Sequence, residues 1–552
     1  MLSSIPSYIH GACAVPLRSD TIGATLNSIA SLHGGHDAVV SRHQSARLTY
    51  EELRDQVDSV ARGLIALGVG RGARVGIWSG NCVEWLVAQY AVAKIGAVLV
   101  HLNPAYTSGE LEHALNHSSV SVLIMAARSL TTDYLGVWGA ARTRTVRARV
   151  CLAAEPVPGC MSWAELASLG ETIPEALLHT REASVQCDDP ASIMYTSGTT
   201  GRPKGVTLSH HSLVNNAFFI GARLRYSESD RVCLPVPLFH TFGYMLGALA
   251  ALTHGSAVVL PGVMFDPKTC LESIEAESCT AFYGVPAMCA AVLRYPEFAG
   301  GRLASLRTGI IAGAPCPVEL MREIVGTMHM PDVTICYGLT EAGTLFQSVP
   351  DDPVERRTTT VGAIHPHIEC KVVDPATGRI VPRGLPGELW ARAYSGMTGY
   401  WNDDAATRDM MQPNGWIRTG DLAVMRDDGY LNIVGRLKEM VISGGRNIYP
   451  REIEDALRTH PKVREVAVVG IPDRVYGEAT CAWIQPHAGQ QLTGDEVLHF
   501  CRERLASHKV PRRVRLTDRF PTTSSGKITK FRLRELSIEE FGLSDVDNVR
   551  TA

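Results

Sequence analysis

The 14 cysteines include no CxxC pair and are scattered along all 552 residues. That spacing excludes a zinc ribbon or a compact disulfide framework and suits reduced thiols in a cytosol. Charge of one sign is not in excess either, since 53 basic residues face 56 acidic ones for a formal net charge of -3. No chain-wide field recruits nucleic acid or an anionic membrane surface, so any anionic ligand must be gripped locally. Long apolar runs are missing too: Leu86 to Val100 is broken by Gln89 and Lys94, and Leu246 to Leu260 by His254 and Gly255. Neither reaches the ~18 consecutive apolar residues of a membrane span. The opening MLSSIPSYIHGACAVPLRSD has no basic segment followed by a long apolar stretch, so no secretory signal is expected and a cytoplasmic location is.

What is present is the balance of a globular protein, 45% apolar and 20% charged, in a chain too long for a single core. Apolar runs at 74–78, 98–102, 121–125, 192–195 and 257–260 alternate with helix-like stretches, which predicts layered α/β structure with buried strands. In LTYEELRDQVDSVARGLIALGV, Thr49 can cap, Glu52 follows three residues on, and Leu53, Val57, Val60 and Leu64 keep helical spacing. Past Asp421 the texture changes to short strands between glycine turns, and from Pro450 it reads helix, strand, strand, helix. A boundary is therefore expected near Arg436 to Lys438, giving domains 1–436 and 437–552.

The most informative stretch is ASIMYTSGTTGRPKGVTLSH, residues 191–210. A buried strand runs into a loop rich in threonine, serine and glycine with one lysine, which supplies close backbone approach, hydrogen-bond donors and a point charge for a polyphosphate. The spacing is not GxxxxGK[ST], because Pro203 removes an amide where a Walker loop winds into its helix. VTLSH predicts a second strand instead, and a Walker-type kinase or GTPase is disfavoured.

YTSGTTGRPKG resembles the signature of the adenylate-forming superfamily of acyl-CoA synthetases, luciferases and peptide-synthetase adenylation domains. PLFHTFG at 237–243, GAP at 313–315, YGLTE at 337–341, TGD at 419–421, GRLKEMVISGGRNIYPREIE at 435–454 and PTTSSGKITK at 521–530 follow in family order. The resemblance covers nearly the whole chain and is nearest to the medium-chain and fatty acyl-CoA synthetase group. It implies an α/β fold: a large N-terminal AMP-binding domain with layered sheets and a β-barrel-like subdomain, and a small mobile α+β C-terminal domain.

By that resemblance Thr196, Ser197, Gly198, Thr199, Thr200, Gly201 and Lys204 hold the ATP phosphates. Glu341 is the Mg²⁺ carboxylate and Thr340 a donor to the α-phosphate. Gly313, Ala314, Pro315, Tyr337 and Gly338 form the adenine slot, Asp421 accepts from the ribose hydroxyls, and Arg436 lies beside the ribose and phosphate. Lys527 bridges carboxylate and α-phosphate during adenylation, while Lys438 marks a hinge that brings Gly444 and Gly445 to a coenzyme A tunnel. Read in isolation, Glu341 fits a solvated turn, Asp421 an Asx turn and Arg436 a surface position.

His240 stands where amino-acid-activating relatives carry an aspartate, which argues against an α-amino acid; it lines the acyl pocket by resemblance and reads equally as a packed core histidine. The expected reaction is ATP-dependent joining of an aliphatic or terpenoid-like carboxylic acid to coenzyme A through an acyl-adenylate. Ser443 and Arg446 replace residues common in close relatives, which keeps open delivery to a carrier-protein pantetheine or completion by a partner enzyme. Homodimerisation is common among such relatives, and neither nucleic acid nor a membrane span is expected.

Overall fold

The computed structural model describes residues 5–129, 132–196, 203–298, 300–444, 446–522 and 528–543. The chain forms two compact units. The larger holds Ile9–Cys370 and Ala391–Arg418; the smaller holds Lys371–Trp390, the residues from Thr419 on and the N-terminal residues up to Tyr8.

Two large sheets organise the larger unit. The first has eight strands in the order Gly399–Tyr400, Lys204–Ser209, Pro190–Thr196, Val98–His101, Arg74–Trp78, Val120–Ala126, Ala148–Leu152 and Met161–Ser162. Its central strands run parallel. Continuous Val, Ile and Leu runs appear there because both faces are covered: Val98–His101 is buried throughout. The second sheet has nine strands, with Asp37–Ser41, Ala257–Leu260, Arg231–Cys233, Ala281–Gly284, Thr308–Ile311 and Asp332–Leu339 as its parallel centre.

Helices follow the predicted signals. Tyr50–Ala66 begins at Thr49, whose side chain accepts from Glu52 N while the Glu52 carboxylate accepts from Thr49 N, a reciprocal cap that satisfies two otherwise orphaned amides. Leu53, Val57, Val60 and Leu64 are its buried stripe. Phe242–Leu249 winds as a π-helix, a geometry that concentrates at functional sites.

Two five-stranded sheets account for the strands of the smaller unit. One runs Tyr8–His10, Ile368–Val373, Pro386–Ala393, Ile417–Met425, Leu431–Arg436. Among the described residues this sheet keeps two free edges and does not close, so the expected barrel-like subdomain is an open sheet. In the other, Val463–Asp473 and Gly477–Pro486 pair antiparallel, flanked by Val441–Ser443 and by Arg513–Leu516. Helices Pro450–Arg458, Gly494–Arg504 and Lys530–Glu540 complete this second part, with the proline of the first at an N-terminal position where no amide bond is lost. No helix among the described residues is long and apolar enough to cross a membrane.

Candidate active site

The loop singled out by composition is tied at its base. Pro190–Thr196 and Lys204–Ser209 pair antiparallel with Thr196 opposite Lys204, so VTLSH is the second strand its sequence predicts. Ser197, Gly198, Thr199, Thr200 and Gly201 lie outside the described residues.

Glu341 comes to this loop base from the other sheet. It sits in the turn between Asp332–Leu339 and Gly343–Gln347, directly after Thr340. Two glycines make the turn possible: a Cβ on Gly338 would stand 2.1 Å from the Gly343 carbonyl oxygen, and Gly343 has φ +71 with Ser395 Cβ only 2.6 Å from where its own Cβ would be. The Glu341 carboxylate then accepts at Oε1 from the Tyr400 hydroxyl at 2.9 Å and from Thr196 Oγ1 at 3.5 Å. Lys204 Nζ stands 4.9 Å from the centre of the Tyr400 ring. Burial, and then the Glu341 charge, push the Tyr400 phenol well above its usual range, so it remains a donor.

Thr196, Lys204, Glu341 and Tyr400 thus form one cluster in the larger unit. Both contacts on Glu341 fall on Oε1, leaving Oε2 without a protein partner among the described residues. A single half-buried carboxylate with a spare oxygen fits Mg²⁺, which takes one or two carboxylates and fills its shell with phosphate oxygens and water. Tyr400 was missed by sequence reasoning, and its only signal is its place in a short TGYW stretch.

Gly313, Ala314 and Pro315 follow the strand Thr308–Ile311 and are all exposed, with Gly313 at φ +86. Tyr337 and Gly338 are in the strand that leads to Glu341. His240 precedes the π-helix and its carbonyl accepts from Tyr244 N at 2.9 Å. Nearby, His101 is wholly buried, with Nε2 2.8 Å from Ser192 Oγ and its ring edge-on to Tyr244. Burial, with a further push from His240, lowers its pKa to about 3, so His101 stays neutral. It too was missed, because a lone histidine ending an apolar strand carries no pattern. Around His240, Met245, Leu246 and Tyr283 belong to the closed core, whereas Phe242, Val285 and Met288 are only partly buried.

In the smaller unit Asp421 and Arg436 are register partners on neighbouring strands, and Arg436 Nε lies 3.2 Å from Asp421 Oδ1. Lys438 is exposed in the turn Leu437–Glu439, and Gly444 has φ +56 with its amide donating to the Tyr476 carbonyl at 2.9 Å. Gly445 and Lys527 lie outside the described residues. The segment around Lys527 is bracketed by a bridge between Thr522 and Ile528. Beyond it Lys530 Nζ pairs with Glu439 Oε2 at 2.7 Å and Glu454 Oε1 at 2.8 Å.

Sequence and structure comparisons identify the family. Residues 27–401 match the AMP-binding enzyme family, and residues 452–527 match the AMP-binding enzyme C-terminal domain. The chain is 42% identical over 540 residues to a putative acyl-CoA synthetase, YngI, of Bacillus subtilis, covering 95% of this chain and 98% of that one. It is 39% identical over 554 residues to the mitochondrial medium-chain acyl-CoA ligase ACSF2 of Danio rerio, covering 97% and 91%. The crystal structure of ATP-bound MatB from Rhodopseudomonas palustris superimposes with a TM-score of 0.82 at 28% identity, over 94% of this chain and 99% of that one. With its phosphate loop, acidic turn and C-terminal domain in family order, the chain belongs to the AMP-binding enzymes of the adenylate-forming superfamily, and is an AMP-forming acid–thiol ligase of a class that works with ATP, Mg²⁺ and coenzyme A.

Proposed function

We propose that this chain joins a medium-length aliphatic carboxylic acid to coenzyme A in two steps. A carboxylate oxygen attacks the α-phosphorus of ATP, the bond to pyrophosphate breaks, and an acyl-adenylate forms. The thiol of coenzyme A then attacks the acyl carbon, AMP leaves, and the thiol proton passes to solvent.

The observation that carries this reading is the convergence of Thr196, Lys204, Tyr400 and Glu341 at the base of the phosphate loop. Thr196 and Lys204 supply a donor and a charge for the departing pyrophosphate, which is how positioning and electrostatics speed phosphoryl chemistry. Glu341, steadied by Tyr400, would hold Mg²⁺, which neutralises phosphate charge when bound. Asp421 and Arg436 are read as the ribose and phosphate contacts, Gly313 to Pro315 with Tyr337 as the adenine wall, and Lys527 as the lysine that meets the carboxylate. Lys438, Gly444 and Gly445 are read as the hinge and the face toward coenzyme A.

An aliphatic acid is supported by the partly buried Phe242, Val285 and Met288 after His240, with no carboxylate at that position to pair with an ammonium. The name of the Danio rerio relative points the same way. Fourteen free thiols suit a reducing compartment such as the cytoplasm.

A panel of straight-chain, branched and aryl acids, scored by pyrophosphate release with and without coenzyme A, tests the reading. Release with octanoate and decanoate, followed by acyl-CoA on mass spectrometry, is expected. Adenylate without thioester, rescued by a phosphopantetheinylated carrier protein, would transfer the second step to a carrier; no release with any acid would overturn the proposal.

A further inference from the structure

Each parallel sheet of the larger unit has a reversal of winding between neighbouring parallel strands. In the nine-stranded sheet, Arg231–Cys233 has Ala257–Leu260 on one side and Ala281–Gly284 on the other. His240 and Val285 lie in the segments that follow two of these strands. In the eight-stranded sheet the reversal falls at Arg74–Trp78, flanked by Val98–His101 and Val120–Ala126. Open parallel sheets bind ligands beyond the carboxyl ends of their strands where such a reversal opens a crevice. The second crevice has no part in the chemistry above: Thr196 is on a strand three places from Val120–Ala126, roughly 14 Å away at strand spacing.

A cavity of about 360 Å³ occupies that second crevice, at the lower end of the size range of small-molecule sites. It is lined by Ser79 and Cys82 after the first strand, Ala126 at the end of the other and Arg128 just beyond it, and Leu152, Val263 and Met264. Val263 and Met264 remain 42% and 47% exposed, a cost in apolar hydration that an occupant would relieve. Of the charged lining groups, Glu84 is engaged, accepting from Gln44 Nε2 at 2.8 Å. Arg128 has no carboxylate partner among the described residues. Asn81, also on the lining, donates to the Val236 carbonyl at 3.0 Å and accepts from Leu238 N at 2.9 Å, two residues before His240.

We propose that this cavity is a second ligand site for a small amphipathic carboxylate, whose head meets Arg128 and whose apolar body lies on Tyr134, Leu152, Val263 and Met264.

The test fills the catalytic site of the full chain with a non-hydrolysable octanoyl-adenylate sulfamate, whose own binding reports separately on the ligase reading, and then measures octanoate by equilibrium dialysis. About one saturable equivalent is expected. Arg128→Ala should weaken it about five-fold, as an exposed ion pair allows, and leave octanol binding unchanged. Met264→Trp, at the exposed rim, should abolish both without altering pyrophosphate release. No residual equivalent, or binding indifferent to both substitutions, overturns the proposal.

Discussion

Tyr400 donates a hydrogen bond to Glu341 Oε1 at 2.9 Å while its ring faces Lys204 at 4.9 Å, so one aromatic side chain steadies an acid and a base that belong to different sheets. A hydrogen bond to a charged acceptor is worth about 1.5–3 kcal/mol. Tyr400→Phe keeps the ring and removes the donor. Pyrophosphate exchange should fall at least about ten-fold, with a higher Mg²⁺ requirement. Glu341→Gln should lose more. Exchange rates titrated against Mg²⁺ check both, and an unchanged Mg²⁺ response in Tyr400→Phe would remove Glu341 from metal binding.

Asp421 and Arg436 give a prediction about affinity rather than rate. Asp421→Asn keeps the shape and removes the charge that holds Arg436, so KM for ATP should rise more than kcat falls. Steady-state kinetics at saturating acid decide it.

Gly338 leaves no room for a side chain. With a Cβ set 2.1 Å from the Gly343 carbonyl oxygen, Gly338→Ala must push the strand pair apart just before Glu341. Loss of exchange activity and a lowered Tm are expected together, whereas Gly326→Ala, with open space around it, should change neither.

Buried neutral histidines predict acid sensitivity. Burial lowers His101 to about 3 and His210 to about 4, and His365 also falls well below its ordinary range. Each keeps its full contribution above about pH 6.5, the unfolded value, and loses it as the pH drops toward the folded value, because only the unfolded chain takes up the proton. Stability should fall by up to about 1.4 kcal/mol per pH unit for each such histidine below pH 6. Thermal unfolding across pH 7 to 4.5 would show the slope, and His210→Asn should flatten it.

The central strands and the capped helix Tyr50–Ala66 were legible because their signals are local: Arg74–Trp78 and Ala257–Leu260 begin and end where their apolar runs do. The second strand after the loop was legible because Pro203 bars a helix there. Tyr400 was not legible, since its role arises only when a distant turn brings Glu341 to it. The π-helix Phe242–Leu249 was hidden because its apolar residues satisfy several periodicities at once. The barrel-like subdomain implied by resemblance failed on edges, which depend on strand pairing rather than composition.

Lys530 grips Glu439, the residue immediately after Lys438, and the same ammonium holds Glu454 on the neighbouring helix. Any rotation of the chain at Lys438 must therefore carry Glu439 onward as one piece. A pivot at Lys438 would have a clamped far side, with its compliance in the backbone at and before residue 438.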